Sequence, residues 1–303
     1  MKLILIAPVL VQLTHGQTRL LQLAALALIV LGLSLITMGL LLLRRTHRTG
    51  GKTVFGDMAA VSLLGDRSSQ QDFFLFPQSD NNPQGRLAIV CDGMGGLAGG
   101  EQASRLCAQS VFTGFYSRGP QADVCAVLRE LAQAADREVS ALKDPNGNPL
   151  NCGTTLVAAV IRNGKAYWVS VGDSRIYLYQ GGHLQQLTRD HNLRLSLEQR
   201  YASGMITREQ LENSPQQEAL ISFIGKGREL LIDSGEIDFT GEDGELLLLC
   251  SDGLYKSLGN PGIESLLQSN PGKGGELPDI LAKAALQCGT RKHDNTTVLV
   301  IGR

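Results

Sequence analysis

The sequence predicts an α+β fold, with antiparallel sheets inside and helix pairs outside, preceded by one transmembrane helix. Three observations carry that reading. Short β-branched and apolar runs recur between turn dipeptides, two blocks show helical spacing of apolar residues, and 24 consecutive residues near the N-terminus carry no charge.

That uncharged stretch, residues 20–43, is long enough to cross a bilayer with some tilt. Arg44, Arg45, His47, Arg48 and Lys52 follow it, against Lys2 and Arg19 ahead of it. The positive-inside bias places everything after the span in the cytoplasm. The expected organisation is an N-terminal segment at 1–19, the span at 20–43, a basic juxtamembrane linker at 44–52 and one domain at 53–303. Residues 46–53 end like a phosphate-binding loop, but Thr46 stands where that loop needs glycine and no strand precedes it.

Within the domain, strands are expected at 87–91, 154–161, 165–171, 175–179, 183–187, 246–250 and 296–301. Asn163-Gly164 between two of these runs is a strong hairpin signal, and tight turns between successive strands mean antiparallel pairing. Ala103, Leu106, Cys107, Val111 and Phe115 share one helical face. Val124, Val127, Leu128, Leu131, Ala135, Val139 and Leu142 share another. A second helix pair is expected at about 262–270 and 277–287. A short helix at about 207–213 lies in a polar, weakly periodic stretch.

Composition excludes some classes. Residues 1–52 hold six Lys/Arg and no acid, which leaves 22 basic against 29 acidic residues in the body. An acidic body argues against nucleic-acid binding and suits a protein that gathers carboxylates around cations. The six cysteines form no CxxC pair and sit mostly in apolar runs, as buried thiols in a reducing compartment do.

The carboxylates are the candidate chemistry. Asp-Gly alone is usually a turn. Here Asp92 and Asp252 each follow an apolar strand, Asp173 follows 168–172, and Asp294 precedes the strand beginning near Thr296. Carboxylates meeting on strand ends would repel one another unless hard divalent ions such as Mg²⁺ or Mn²⁺ compensate them.

In this order the sequence resembles the metal-dependent (PPM, type 2C) protein serine/threonine phosphatases in their bacterial form. The matching pieces are Arg67-Ser-Ser-Gln-Gln-Asp72, Asp92-Gly-Met-Gly-Gly96, Gly99-Gly-Glu-Gln-Ala-Ser104 and Gly153-Thr-Thr155. They continue through Gly172-Asp-Ser-Arg175, Leu187-Thr-Arg-Asp-His191, Ser251-Asp-Gly253 and Asp294-Asn295. The resemblance implies a central sandwich of two antiparallel β-sheets flanked by helix pairs (αββα), with a flap at about 192–225. It implies two Mn²⁺ or Mg²⁺ ions: Asp92 bridging both, the Gly93 carbonyl on the second, Asp252 and Asp294 on the first, and Asp72 acting largely through water. Asp173 with Asp252 would form a third, weaker site, and Arg67 would clamp the substrate phosphate. Metal-activated water would hydrolyse phosphoserine and phosphothreonine on proteins, with no phosphoenzyme.

Three departures stand out. Gln70-Gln71 replace the usual Asn-Glu, Met94 leaves the proton donor unassigned, and residues 221–225 differ from the usual flap run. Cys91 and Cys250 are expected to face the core by strand alternation, and His191 to be a loop-packing residue. The implied partners are phosphorylated proteins and a cognate Ser/Thr kinase at the bacterial inner membrane, with a single span and the catalytic domain cytoplasmic. A membrane-tethered pseudophosphatase that binds without turnover is the alternative; the retained carboxylates and Arg67 argue against it. A small-molecule phosphatase would need a basic enclosed pocket, for which no residue cluster is apparent.

Overall fold

The computed structural model of the protein describes residues 52–302, apart from 79–81, 96–98, 121, 228 and 290–291. The expected span at 20–43, the 1–19 segment and all of the linker but Lys52 lie outside them. Among the described residues no helix is long and apolar enough to cross a membrane.

Strand alternation sets the layering. In β4 (Arg86–Gly95), Leu87, Ile89 and Cys91 join a core built with two helices, while Ala88 and Val90 join a different one. In β11 (Leu246–Cys250), Leu246, Leu248 and Cys250 face a second helix pair, while Leu247 and Leu249 meet the same central core as Ala88 and Val90. Both strands are thus buried on both faces, which is why they read as continuous apolar runs. Each fully buried leucine contributes about 1.5–3 kcal/mol. Cys91 and Cys250 lie in the helix-side cores, as alternation predicts.

One sheet contains β1 (Thr53–Phe55), β2 (Met58–Leu63), β8 (Arg175–Gln180), β9 (His183–Gln186), β11 and β12 (Thr296–Ile301), in the order β1-β2-β12-β11-β8-β9. The other contains β3 (Asp72–Leu75), β4, β6 (Leu156–Arg162), β7 (Lys165–Val171) and β10 (Asp233–Asp238), in the order β10-β7-β6-β4-β3. A short β5 (Cys152–Thr154) pairs with the far end of β4. All pairings are antiparallel. The expected hairpin forms: Arg162 pairs with Lys165 across Asn163 (φ 55°) and Gly164 (φ 73°), two left-handed residues as a type I′ turn requires.

Helices α1 (Gly99–Ser117) and α2 (Val124–Ser140) cover the second sheet. Asp123 caps α2 by accepting from the Ala126 N–H at 2.8 Å. Helices α5 (Asp252–Gln268) and α6 (Leu277–Gln287) cover the first sheet. The expected helix at 262–270 is the second half of α5, which begins ten residues earlier and kinks at Gly259 (φ 65°) ahead of Pro261. Between β9 and β10 the chain forms α3 (Leu193–Ala202) and α4 (Arg208–Glu212), the latter opened by a Thr207 capping box.

Candidate metal centre

Asp92 is not at a strand end, as expected, but inside β4, at the point where that strand exchanges partners. Residues 86–90 pair with β6, and residues 93–95 pair with β5. Two threonines hold the junction. The Asp92 N–H donates to Thr155 Oγ1 at 2.9 Å, and its carbonyl accepts from the Thr155 N–H (2.8 Å) and from Thr154 Oγ1 (2.9 Å). The backbone of Asp92 is therefore saturated, and its side chain is left for other work. Directly across the ladder stands Asp72, the first residue of β3. Two acids in register would destabilise an ordinary strand pair.

Gly93 makes this approach geometrically possible. Its N–H donates to the Gln71 carbonyl at 3.1 Å. A Cβ there would lie 2.1 Å from the Gly100 carbonyl oxygen and 2.6 Å from that of Gln71, both backbone atoms. Gly93→Ala is expected to cost about 3 kcal/mol or more by overpacking and to displace Asp92. Thermal melts and activity measured on the same preparation check both effects.

Asp252 opens the first turn of α5, where a negative charge suits the helix N-terminus. The Ser251 hydroxyl makes no cap; it donates to Asp72 Oδ2 at 2.7 Å and accepts from the Thr297 N–H at 2.9 Å. Gly253 lets the start of the helix approach the 294–295 backbone: a Cβ there would lie 2.3 Å from the Asn295 carbonyl oxygen. Asn295 ties in the arginine-bearing loop, accepting from the Gln71 N–H (2.8 Å) and donating to the carbonyls of Leu64 (2.8 Å) and Ser69 (3.2 Å). Asp294 precedes β12 as expected, and Arg67 pairs with it at 2.5 Å. Asp173 follows β7 as expected. Its loop is fastened by Ser174, whose hydroxyl lies 2.6 Å from that of Thr155, and by His191, whose Nδ1 accepts from the Gly172 N–H at 3.2 Å.

The electrostatics are those of a crowded acid cluster. Burial pushes the Asp72 carboxyl up to about 7, with Asp252 and Asp294 adding to the effect. Burial also raises Asp92 well above the carboxylate range, reinforced by Asp72, Asp252, Asp173 and Asp294. Asp173 is pushed up to about 6, by burial first and Asp252 second. Asp72 Oδ1 is buried and has no hydrogen-bond partner. A buried oxygen without a donor, among acids that raise one another's proton affinity, fits a divalent cation. Among the described residues no three such side chains close on a single point. A hard ion that keeps most of its waters does not need them to.

The remaining motif residues serve structure. His191 is 1% exposed, lies 3.3 Å from Asp233 by Nε2, and is pushed down in pKa by its burial, in keeping with a loop-packing histidine. Arg175 holds Asp190 through two hydrogen bonds (2.9 and 2.7 Å) and stacks on Tyr255. Gln71 donates to the Gly95 carbonyl at 3.1 Å. In the divergent run at 221–225, Ile224 exchanges two backbone hydrogen bonds with Thr154, and the Gly225 N–H donates to Asp136 at 2.7 Å. That run thus roots the flap beside Asp92. Sequence reasoning missed Ser251 and Lys256 as neighbours of the acids. Lys256 is legible as the i+4 partner of Asp252 once α5 is known to start at Asp252.

A sandwich of two antiparallel sheets between helix pairs, with acids gathered from both sheets, is the architecture of metal-dependent protein phosphatases. Comparison with known proteins agrees. Residues 62–270 match the family described as Protein phosphatase 2C. The serine/threonine phosphatase stp of Listeria monocytogenes is 30% identical over 232 residues, 76% of this chain and 88% of that protein. The crystal structure of the Mycobacterium tuberculosis serine/threonine phosphatase PstP/Ppp is 28% identical with a TM-score of 0.66, covering 81% of this chain and 98% of that one. A structure of the PstP catalytic domain in complex with 2 manganese ions is likewise 28% identical, with a TM-score of 0.63 over 80% of this chain and 96% of that one. The chain belongs to the protein phosphatase 2C family, in its bacterial form, and is a metal-dependent protein serine/threonine phosphatase.

Proposed function

We propose that the chain hydrolyses phosphoserine and phosphothreonine on proteins at a binuclear Mn²⁺ or Mg²⁺ centre held by Asp72, Asp92, the Gly93 carbonyl, Asp252 and Asp294. The observation that carries this reading is the acid cluster itself: Asp72 and Asp92 stand opposed in register, and a buried Asp72 oxygen lacks a donor. Bound ions would supply Lewis-acid polarisation of the phosphoryl group and an acidified water for in-line attack on phosphorus. The protein's own residues do the rest. Ser251 orients Asp72, the two threonines fix Asp92, and Asn295 holds the Arg67 loop against the site. Arg67 is 60% exposed beyond its contact with Asp294 and can offer its guanidinium fork to a substrate phosphate.

The physiological reading is that the enzyme opposes a Ser/Thr kinase at the bacterial inner membrane, anchored by residues 20–43 with the catalytic domain cytoplasmic. The uncharged stretch and the basic residues behind it support that reading. Full-length protein with Mn²⁺ is expected to release phosphate from phosphothreonine peptides, and a chelator to abolish the release. Intact peptide after incubation with saturating Mn²⁺ would sink the proposal.

A further inference from the structure

Two acids at the site already have a cation of their own. Asp252 and Asp173 come from different elements, the start of α5 and the loop after β7. Lys256, one helical turn beyond Asp252, reaches both: its Nζ lies 2.6 Å from Asp252 Oδ2 and 3.6 Å from Asp173 Oδ2. Among the described residues Lys256 is the one cation within ion-pair distance of either acid. The placement is structural rather than incidental. The i,i+4 spacing aims the lysine back along the helix at Asp252. Asp173 is 6% exposed at its side chain, held by the Gly172–Ser174 loop that Thr155 and His191 fasten. Among the described residues no lysine pairs with Asp72 or Asp92, and Asp72 keeps its repulsion on Asp92.

We infer that Lys256 is a resident cation at the Asp173–Asp252 pair, where it takes the place of a metal ion. This rests on the binuclear reading above and narrows it: the third, weaker ion implied by the resemblance is replaced in this chain by an ammonium. A third divalent ion shared by Asp173 and Asp252 Oδ2 would have to bind at about 2.0–2.1 Å, on the oxygen that Lys256 already holds, whereas the binuclear centre would use Asp252 Oδ1. The two cations would then repel at close range in a partly buried site. Lys256 is a positioning residue, fixing Asp252 and Asp173 without contact with the reacting atoms. The activity should therefore rise with Mn²⁺ in one phase, with no further gain from filling a weak site.

The test is a Mn²⁺ count by equilibrium dialysis on the full-length protein, with melts to verify folding. Lys256→Met, which keeps the bulk of the side chain and removes its charge, is expected to bind one more Mn²⁺ per chain than wild type. Lys256→Arg is expected to keep the wild-type count. Asp173→Asn should remove the extra ion in the Lys256→Met background and leave the wild-type count unchanged. An equal count in wild type and Lys256→Met overturns the inference, as does loss of an ion from the Asp173→Asn single variant. The wild-type count itself tests the binuclear reading separately, because the inference is read only from differences between variants.

Discussion

Replacing Asp92 by asparagine is expected to leave a folded protein with phosphatase activity at least ~10³-fold below wild type. The amide is nearly isosteric, and the hydrogen bonds that hold residue 92 come from its backbone. What the substitution removes is charge. Partners that merely orient a metal ligand cost about 10–100-fold in affinity or activity when lost. A ligand shared between two ions should cost more. Asp92 is the acid that senses all four others, Asp72, Asp252, Asp173 and Asp294. The metal-free variant should melt at or above the wild-type temperature, because one member of a repelling cluster has been neutralised. Stability kept while turnover is lost separates a ligand from a structural residue. Activity within tenfold of wild type at saturating Mn²⁺ would remove Asp92 from the centre.

The layers of the fold were legible where burial left a simple pattern. The β11 run is apolar throughout, and β12 is apolar from Val298 on, because both faces are covered, and Asn163-Gly164 fixes its hairpin by backbone conformation alone. The polar strand β10 was not legible. Its sequence, Asp233 to Asp238, has no apolar alternation, and its place at the sheet edge is set by the ladder to β7 and by Gly235 lying over the Trp168 ring. Helix α3 likewise buries only Leu197, too little for a periodic signal.

The site divides along the same line. Asp173 and Asp294 flank strands as their sequence context indicates. Asp92 does not, because β4 continues through the Gly-rich run by changing partners from β6 to β5. That exchange depends on Thr154 and Thr155, which lie some 60 residues away in the chain. The link from Ser251 to Asp72 is equally invisible, since it joins residues 179 positions apart. Motif order could mark which acids matter, but not which neutral residues hold them together.

Stability of the metal-free protein is expected to fall as pH rises from about 4, with the buried Asp72 and Asp92 carboxyls as the main causes. Burial pushes the Asp72 carboxyl up to about 7 although Ser251 donates to it. The unfolded chain holds an aspartate at about 3.9. The native state therefore binds a proton that the unfolded state has released. The stability this provides is complete below the unfolded value and is lost as pH rises through 7. A shift of about three units corresponds to ~4 kcal/mol. Asp173, pushed up to about 6, acts in the same direction. Asp233 is held below the usual carboxylate range beside Arg189 and His191, so its opposite effect falls below this window. The buried His191, pushed down in pKa, opposes the decline below about pH 6.5. Melts of chelator-treated protein should thus decline from pH 5 to pH 8, with Asp72→Asn flattening the curve. Because ions compete with that proton, Mn²⁺ should raise the wild-type melting temperature more at pH 8 than at pH 5. An equally steep decline in Asp72→Asn would place the buried titration on another group.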